Sequence, residues 1–199
     1  MSGTTANRTR NRITLLLLLA VFVGPLGYAV WVYNTMDQPA RMKNHGTLVQ
    51  PPRPLPVDLT LVESGEIPLK DAFTGKWTLV VVGGTECGGP CRLALYKSRQ
   101  SRLAQGEAVR RVQRIYLLLA DAPGDTLERL RADHPDLRIL QVPVPERARI
   151  VTLFEDDGSG GSVYVVDPLG NYMMRFDGAF EAKGLAQDLR LLLRASQIG

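Results

Sequence analysis

The chain of 199 residues is 45% hydrophobic and 22% charged, ordinary globular usage that excludes collagen-like, low-complexity and wholly disordered chains. Two cysteines cannot build a disulfide-rich mini-protein, so packing must supply the core. The net charge of +4 is concentrated at the start: Arg8, Arg10 and Arg12 precede the first acidic residue, Asp37, and with those three removed from the 24 the rest carries 21 basic against 20 acidic side chains. That balance, with no interleaved aromatic and basic motif, argues against nucleic acid as a partner.

Residues 13–33 are an uncharged stretch of 21 that includes the run Leu15 to Leu19, and about 20 apolar residues suffice to cross a bilayer as a helix. The flanking arginines assign residues 1–12 to the cytoplasm and everything beyond the span to the far side. Tyr28, Trp31 and Tyr33 fall where amphipathic rings meet headgroups, and Pro25 is tolerable in a membrane helix. With no Arg-rich, Ser-rich transit segment, the expected location is a bacterial inner membrane, crossed once, with the C-terminal domain in the periplasm. The alternative is a signal peptide cleaved after the small pair Gly27 and Ala29, but the stretch exceeds the roughly 7–15 residues of such an apolar region.

Residues 34–57 contain Pro39, Pro51, Pro52, Pro54 and Pro56, which fix φ and remove N–H donors, so this segment is expected to be a stiff tether. Asn44-His45-Gly46-Thr47-Leu48 and Pro51-Pro52-Arg53-Pro54-Leu55 either dock in extended form on the domain or a partner, or act as a plain spacer. Residues 58–199 are long enough for one domain.

In that domain Trp77 to Val82 is a β-rich apolar run ended by Gly83-Gly84, which reads as a strand buried on both faces. A helix from Arg92 to Gln105, closed by Gly106, follows. Ile115 to Leu119 reads as a second strand, the turn Asp121 to Gly124 leads into a helix starting near Asp125 or Thr126, and Leu137 to Val142 is a short third strand. Pro143 and Pro145 open a connector. Ser162 to Val166 and Tyr172 to Phe176 flank the turn Asp167-Pro168-Leu169-Gly170-Asn171 as an antiparallel hairpin, and a helix from Gly184 to Ala195 closes the chain. The order βαβα then ββα is an α/β, thioredoxin-like one.

Cys87-Gly88-Gly89-Pro90-Cys91 sits between the first buried strand and the helix after it. A helix N-terminus stabilises a thiolate, and two sulfurs four residues apart across a Gly-Gly-Pro bend can close a disulfide or converge on a soft metal ion. Glu86 opposes thiolate formation and Arg92 favours it. The inert alternative is a structural staple, but so short a loop gains little from closure.

The anchor, the exported thioredoxin-like domain, the Cys87/Cys91 spacing, the Asn-His-Gly and Pro-Pro-Arg-Pro-Leu segment, and Val165-Val166-Asp167-Pro168-Leu169-Gly170-Asn171 together resemble the Sco/SenC proteins. That family comprises copper chaperones and thiol-disulfide reductases for the dinuclear copper site of cytochrome c oxidase. The resemblance implies thiol-disulfide chemistry or transient Cu(I) handling at Cys87 and Cys91, an oxidase subunit or its assembly machinery as partner, and copper as cargo.

The copper-binding members also use a His before the hairpin. The corresponding residues here, Glu155 to Gly161, include none, so the resemblance supports Cu(I) on two thiolates and no Cu(II) site. Of the two histidines, His45 lies in the tether and His134 is expected to face solvent at a helix end. Met173 and Met174 are expected to pack in the core. The excess of Arg92, Lys97, Arg99, Arg102, Arg110, Arg111 and Arg114 over Glu107 marks either a surface for an acidic partner or anionic lipid, or a solvated helix face. The other functional readings are a non-catalytic scaffold and a general thiol-disulfide oxidoreductase. The three-residue spacing and the lack of Pro before Ser162 count against the second, and two cysteines in one loop count against a peroxidase.

Overall fold

A computed structural model describes residues 4–35, 44–63, 65–121, 124–156, 159–196 and 198. The tether residues 36–43, the turn residues 122 and 123, and Asp157 and Gly158 of the loop before the hairpin lie outside this set. The chain forms two units, Met1–Lys43 and Asn44–Gly199.

In the first unit, α1 (Thr4–Thr35) contains the stretch Ile13–Val32, with a mean hydropathy of 2.3, long and apolar enough to cross a membrane. Pro25 lies within it, and the rings of Tyr28 and Trp31, three residues apart on one side, have centroids 6.1 Å apart.

In the second unit the elements run in chain order as β1 (Thr47–Pro54), β2 (Thr60–Val62), β3 (Glu66–Pro68), α2 (Leu69–Phe73), β4 (Trp77–Gly83), α3 (Gly89–Leu103), β5 (Val112–Leu118), α4 (Gly124–Asp133), β6 (Leu137–Gln141), α5 (Val144–Phe154), β7 (Val163–Val166), β8 (Asn171–Phe176) and α6 (Ala182–Ala195). Among the described residues the strands make one sheet in the order β1-β8-β7-β4-β5-β6-β2-β3. β4, β5 and β6 are parallel, and β7 runs antiparallel to β4 and hairpins into β8. This is the expected thioredoxin-like α/β arrangement.

All seven residues of β4 are buried, as a strand covered on both faces requires. Because side chains alternate across a strand, Leu79 and Val81 join Leu95, Leu185 and Leu189 in one core, while Val80 and Val82 join Phe73, Ile150 and Phe154 in the other. β4 is thereby clamped at the centre, and its C-terminal end is a rigid base for the cysteine loop. Asp167 sets the β7–β8 turn: its carboxylate accepts from the Leu169 and Asn171 N–H groups at 2.9 and 2.8 Å, and Gly170 takes φ 84°.

Two segments depart from the sequence expectation. The stretch 34–57 is not a tether throughout: of the two alternatives for its second half, docking in extended form on the domain is the one found, with residues 47–54 forming β1 against β8 and Leu55 and Leu59 buried. β1 is an edge strand, where missing N–H groups face outward without breaking a ladder, and its register with β8 slips between Leu48 and Arg53, across the Pro pair. Its start is pinned by Asp188 on α6, whose carboxylate accepts the His45 and Gly46 N–H groups at 2.7 and 3.0 Å and lies 2.9 Å from His45 Nδ1. Gly184 makes room for this clasp, since a Cβ there would sit 2.8 Å from that of His45. Likewise, the expected connector at Pro143 and Pro145 is α5, because prolines in the first turn of a helix occupy positions whose N–H groups have no intrahelical partner.

Candidate functional site

β4 delivers the chain through Gly83 and Gly84 to the cysteine loop, and α3 starts two residues beyond Cys87. The structure joins Cys87 and Cys91 in a disulfide with Cα atoms 5.1 Å apart. The two sulfurs are unequal. Cys87 is half-buried and lines a groove, whereas Cys91, in the first turn of α3, is 1% exposed. Free N–H groups and the positive end of the helix favour a thiolate in front of α3, at Cys87. Arg92 supports this through Nη1, which donates to the Cys87 carbonyl at 2.9 Å and holds a cation beside the loop. Cys87 is thus the sulfur open to the groove, and Cys91 the one enclosed by the domain.

The buried sulfur has its own neighbours. Tyr116 on β5 donates its hydroxyl to the Gly84 carbonyl at 2.7 Å, and the same oxygen lies 3.7 Å from Cys91 Sγ. Gly83 is required below it, because a Cβ there would fall 2.4 Å from the hydroxyl oxygen. Burial, followed by the Asp156 carboxylate, pushes the Tyr116 pKa up to about 12, so the phenol stays protonated at neutral pH. Its proton is used on Gly84, which leaves a lone pair to accept the S–H of reduced Cys91. Tyr116→Phe is therefore expected to favour the disulfide over the dithiol, making its reduction potential about 10–20 mV more negative, as a hydrogen bond of about 0.5–1 kcal/mol implies. Equilibration with glutathione buffers measures this, and an unchanged potential would show that the hydroxyl does not serve the thiol.

From the other side, the loop before β7 passes over the disulfide. Gly160 has φ 70°, and a Cβ on it would lie 2.9 Å from Cys91 Cβ and 3.2 Å from Sγ. Residues 155–161 stand where the resemblance to the Sco/SenC proteins implies a ligand-bearing loop. The structure shows the loop in contact with Cys91 through a glycine, where no side chain fits.

The histidines do not repair the missing ligand. His45 is engaged with Asp188, and among the described residues no group of three His, Cys, Asp or Glu side chains could hold a metal ion. Once reduced, the Cys87/Cys91 pair offers two soft thiolates, a donor set that suits Cu(I) as cargo and does not suit a thiolate-plus-imidazole Cu(II) site. Contrary to expectation, His134 does not simply face solvent. It is half-buried, lines the same groove as Cys87, and its Nδ1 is buried with no hydrogen-bond partner among the described residues. Burial, then Arg114 and Arg99, push its pKa down, which keeps the ring neutral at physiological pH.

Met174 is 2% exposed in the core and Met173 packs against it, as expected for packing residues. Much of the basic run is also structural. Arg102 and the buried Arg114 pair with Asp136, Arg111 donates to the Leu193 and Ser196 carbonyls, and Lys97 donates to the Phe180 carbonyl. The groove and Tyr116 were the site features that sequence reasoning missed; Tyr116 lay in a strand run that looked purely apolar.

Comparison with known proteins agrees with this architecture. Solved structures that resemble the chain include copper-bound ScoI of Bradyrhizobium japonicum (20% identity, 70% of this chain and 98% of that one, TM-score 0.54) and apo Sco1 of Thermus thermophilus (22%, 78% and 98%, TM-score 0.59). The thioredoxin domain of a Bacteroides vulgatus thiol-disulfide oxidoreductase also shares the fold (11%, 68% and 92%, TM-score 0.51). No curated protein matches by sequence. The model of a family described as transmembrane-like, thioredoxin-like, C-terminal domain matches residues 77–196, from the start of β4 to just past α6. With more than half of its length matched, and with the cysteine loop on the C-terminal end of β4, the chain belongs to this transmembrane-like, thioredoxin-like family.

Proposed function

We propose that the protein is an assembly factor for cytochrome c oxidase, anchored by α1 in a bacterial inner membrane with its thioredoxin-like domain in the periplasm, and acting through Cys87 and Cys91. The observation that carries this reading is the asymmetric cysteine pair, a half-exposed Cys87 before a helix linked to a buried Cys91, in a fold shared with copper-bound ScoI. In the reduced state the Cys87 thiolate attacks a disulfide of the oxidase subunit and releases one client thiolate. Cys91, losing its proton, then attacks Cys87 Sγ, and the second client thiolate leaves. Two electrons pass to the client and the Cys87–Cys91 disulfide forms; a periplasmic or membrane dithiol donor restores the dithiol. Alternatively the two thiolates hold Cu(I) linearly and pass it to the client's freed cysteines.

A general thiol-disulfide oxidoreductase is the second reading, favoured by the likeness to the Bacteroides vulgatus domain. The lack of a proline immediately before Ser162 and the three-residue spacing speak against it.

The test joins genetics to metal binding. A strain lacking the protein is expected to lose cytochrome c oxidase activity, which the intact chain restores and Cys87→Ser does not; rescue by Cys87→Ser would instead make it a scaffold. Anaerobic titration of the reduced chain is expected to show one Cu(I) per chain, none in Cys87→Ser, and no Cu(II)–thiolate absorption. Alkaline phosphatase fused after Val57 is expected to be active, and an inactive fusion would reverse the orientation.

A further inference from the structure

Exchange at Cys87 constrains whatever it meets. The client sulfur must approach Cys87 Sγ along the line of the S–S bond, and the mixed disulfide then holds the client Cα within about 4.4–6.8 Å of that of Cys87. The residues beside the client's cysteine must therefore lie on the surface that borders Cys87.

That surface is a groove of about 520 Å³ between α3 and α4, within the roughly 300–1,000 Å³ of binding clefts. Cys87 lines it, and Leu95 and Leu130 supply apolar lining. Two arginines line it, Arg92 from the first turn of α3 and Arg129 from α4, against one carboxylate, Asp133. Arg92 is tied to the Cys87 carbonyl, so its charge stays beside the reacting sulfur. His134 adds a ring kept neutral by burial and nearby arginines. Glu86, though next to Cys87 in sequence, is not among the lining residues.

We propose that this groove selects an extended client segment whose cysteine is flanked by a carboxylate, the Asp or Glu side chain meeting Arg92 and Arg129 while a neighbouring apolar side chain lies on Leu95 and Leu130. The proposal deepens the thiol-disulfide reading of Cys87 and rests on it. Its chemistry is the first half of the exchange above: the Cys87 thiolate attacks the client sulfur, the client S–S bond breaks, and the leaving thiol departs as thiolate.

The test uses the full chain in detergent micelles, reduced beforehand and followed in a single turnover. The probes are two pentapeptides, Gly-Glu-Cys-Leu-Gly and its counterpart with Lys for Glu, each carried as a mixed disulfide with thionitrobenzoate, together with the uncharged hydroxyethyl disulfide. At low ionic strength the acidic peptide is expected to react about tenfold faster than the basic one, as two exposed charge pairs allow. The preference is expected to shrink at high salt and to vanish or invert in Arg129→Glu and Arg92→Glu. Using the ratio of the two peptides within each protein cancels any change in the intrinsic reactivity of Cys87. Equal rates for the two peptides in the unaltered protein, or a preference that survives both substitutions, would overturn the groove assignment while leaving the redox reading intact. Failure to react with any of the three disulfides would remove the redox reading and this inference with it.

Discussion

Cys91→Ser is expected to trap client proteins and peptide disulfides as long-lived adducts on Cys87, while Cys87→Ser forms none. The difference in alkylation rate between the two single-cysteine proteins is expected to be about 100-fold at neutral pH. Two factors multiply. Cys87 is half-buried and open to the groove, whereas Cys91 is 1% exposed beneath Gly160. A thiol with an ordinary pKa of about 8.5 is only a few per cent thiolate at pH 7, and a helix start with a nearby arginine shifts that fraction toward one. Cys91 instead faces the oxygen of a phenol that stays protonated, an acceptor for its S–H. Timed alkylation read by mass spectrometry checks the prediction. Equal rates for the two variants would mean that the loop opens freely and that the polarity of the pair has been misassigned.

The second large effect concerns stability. Asp136→Ala is expected to destabilise the domain by about 3 kcal/mol, because it strands a buried cation. Arg114 is 0% exposed and is satisfied by Asp136 at 3.0 Å, Ser98 Oγ at 3.1 Å and the Leu95 carbonyl at 2.6 Å. An arginine cannot shed its proton to escape, so removing its counter-charge leaves the full desolvation penalty. For a chain of this size the melting temperature is expected to fall by about 6–12 °C. Arg114→Met removes the charge itself and is expected to cost less, since Asp136 keeps Arg102.

The pair also sets a pH dependence. Burial raises the Asp136 pKa, but Arg114 and Arg102 outweigh it and hold the carboxyl below the usual range. Its contribution is therefore present above about pH 4, the unfolded value, and is lost as pH falls through the lower folded one. Thermal unfolding of the detergent-solubilised chain between neutral and acid pH measures both effects. A greater loss in Arg114→Met than in Asp136→Ala would refute the account.

Much of this architecture was legible in the sequence. A run such as Trp77 to Val82 can only be a strand covered on both faces, and the turn after Val166 announces itself through Asp167, Gly170 and Asn171. The uncharged stretch and the cysteines at a strand-to-helix junction are equally local signals. The errors came where local chemistry has two outcomes. Proline forbids an interior strand or helix position yet suits an edge strand and a first helical turn, so β1 was left open between docked strand and spacer and α5 was read as a connector.

Which groups surround the disulfide was a matter for tertiary structure alone. Tyr116 is 25 residues beyond Cys91, Gly160 lies farther along and His134 between them, and parallel crossovers with the return of β7 bring these segments to the cysteine loop. Sequence pointed to the cysteine pair as the candidate site, because a thiol at a helix start is a property of a few neighbouring residues. It did not reveal that Cys91 is buried, that a glycine lies against it, or that a groove with two arginines opens at Cys87. Exposure and pairing depend on which distant segments pack together, and that is decided by burial of the whole chain's apolar surface.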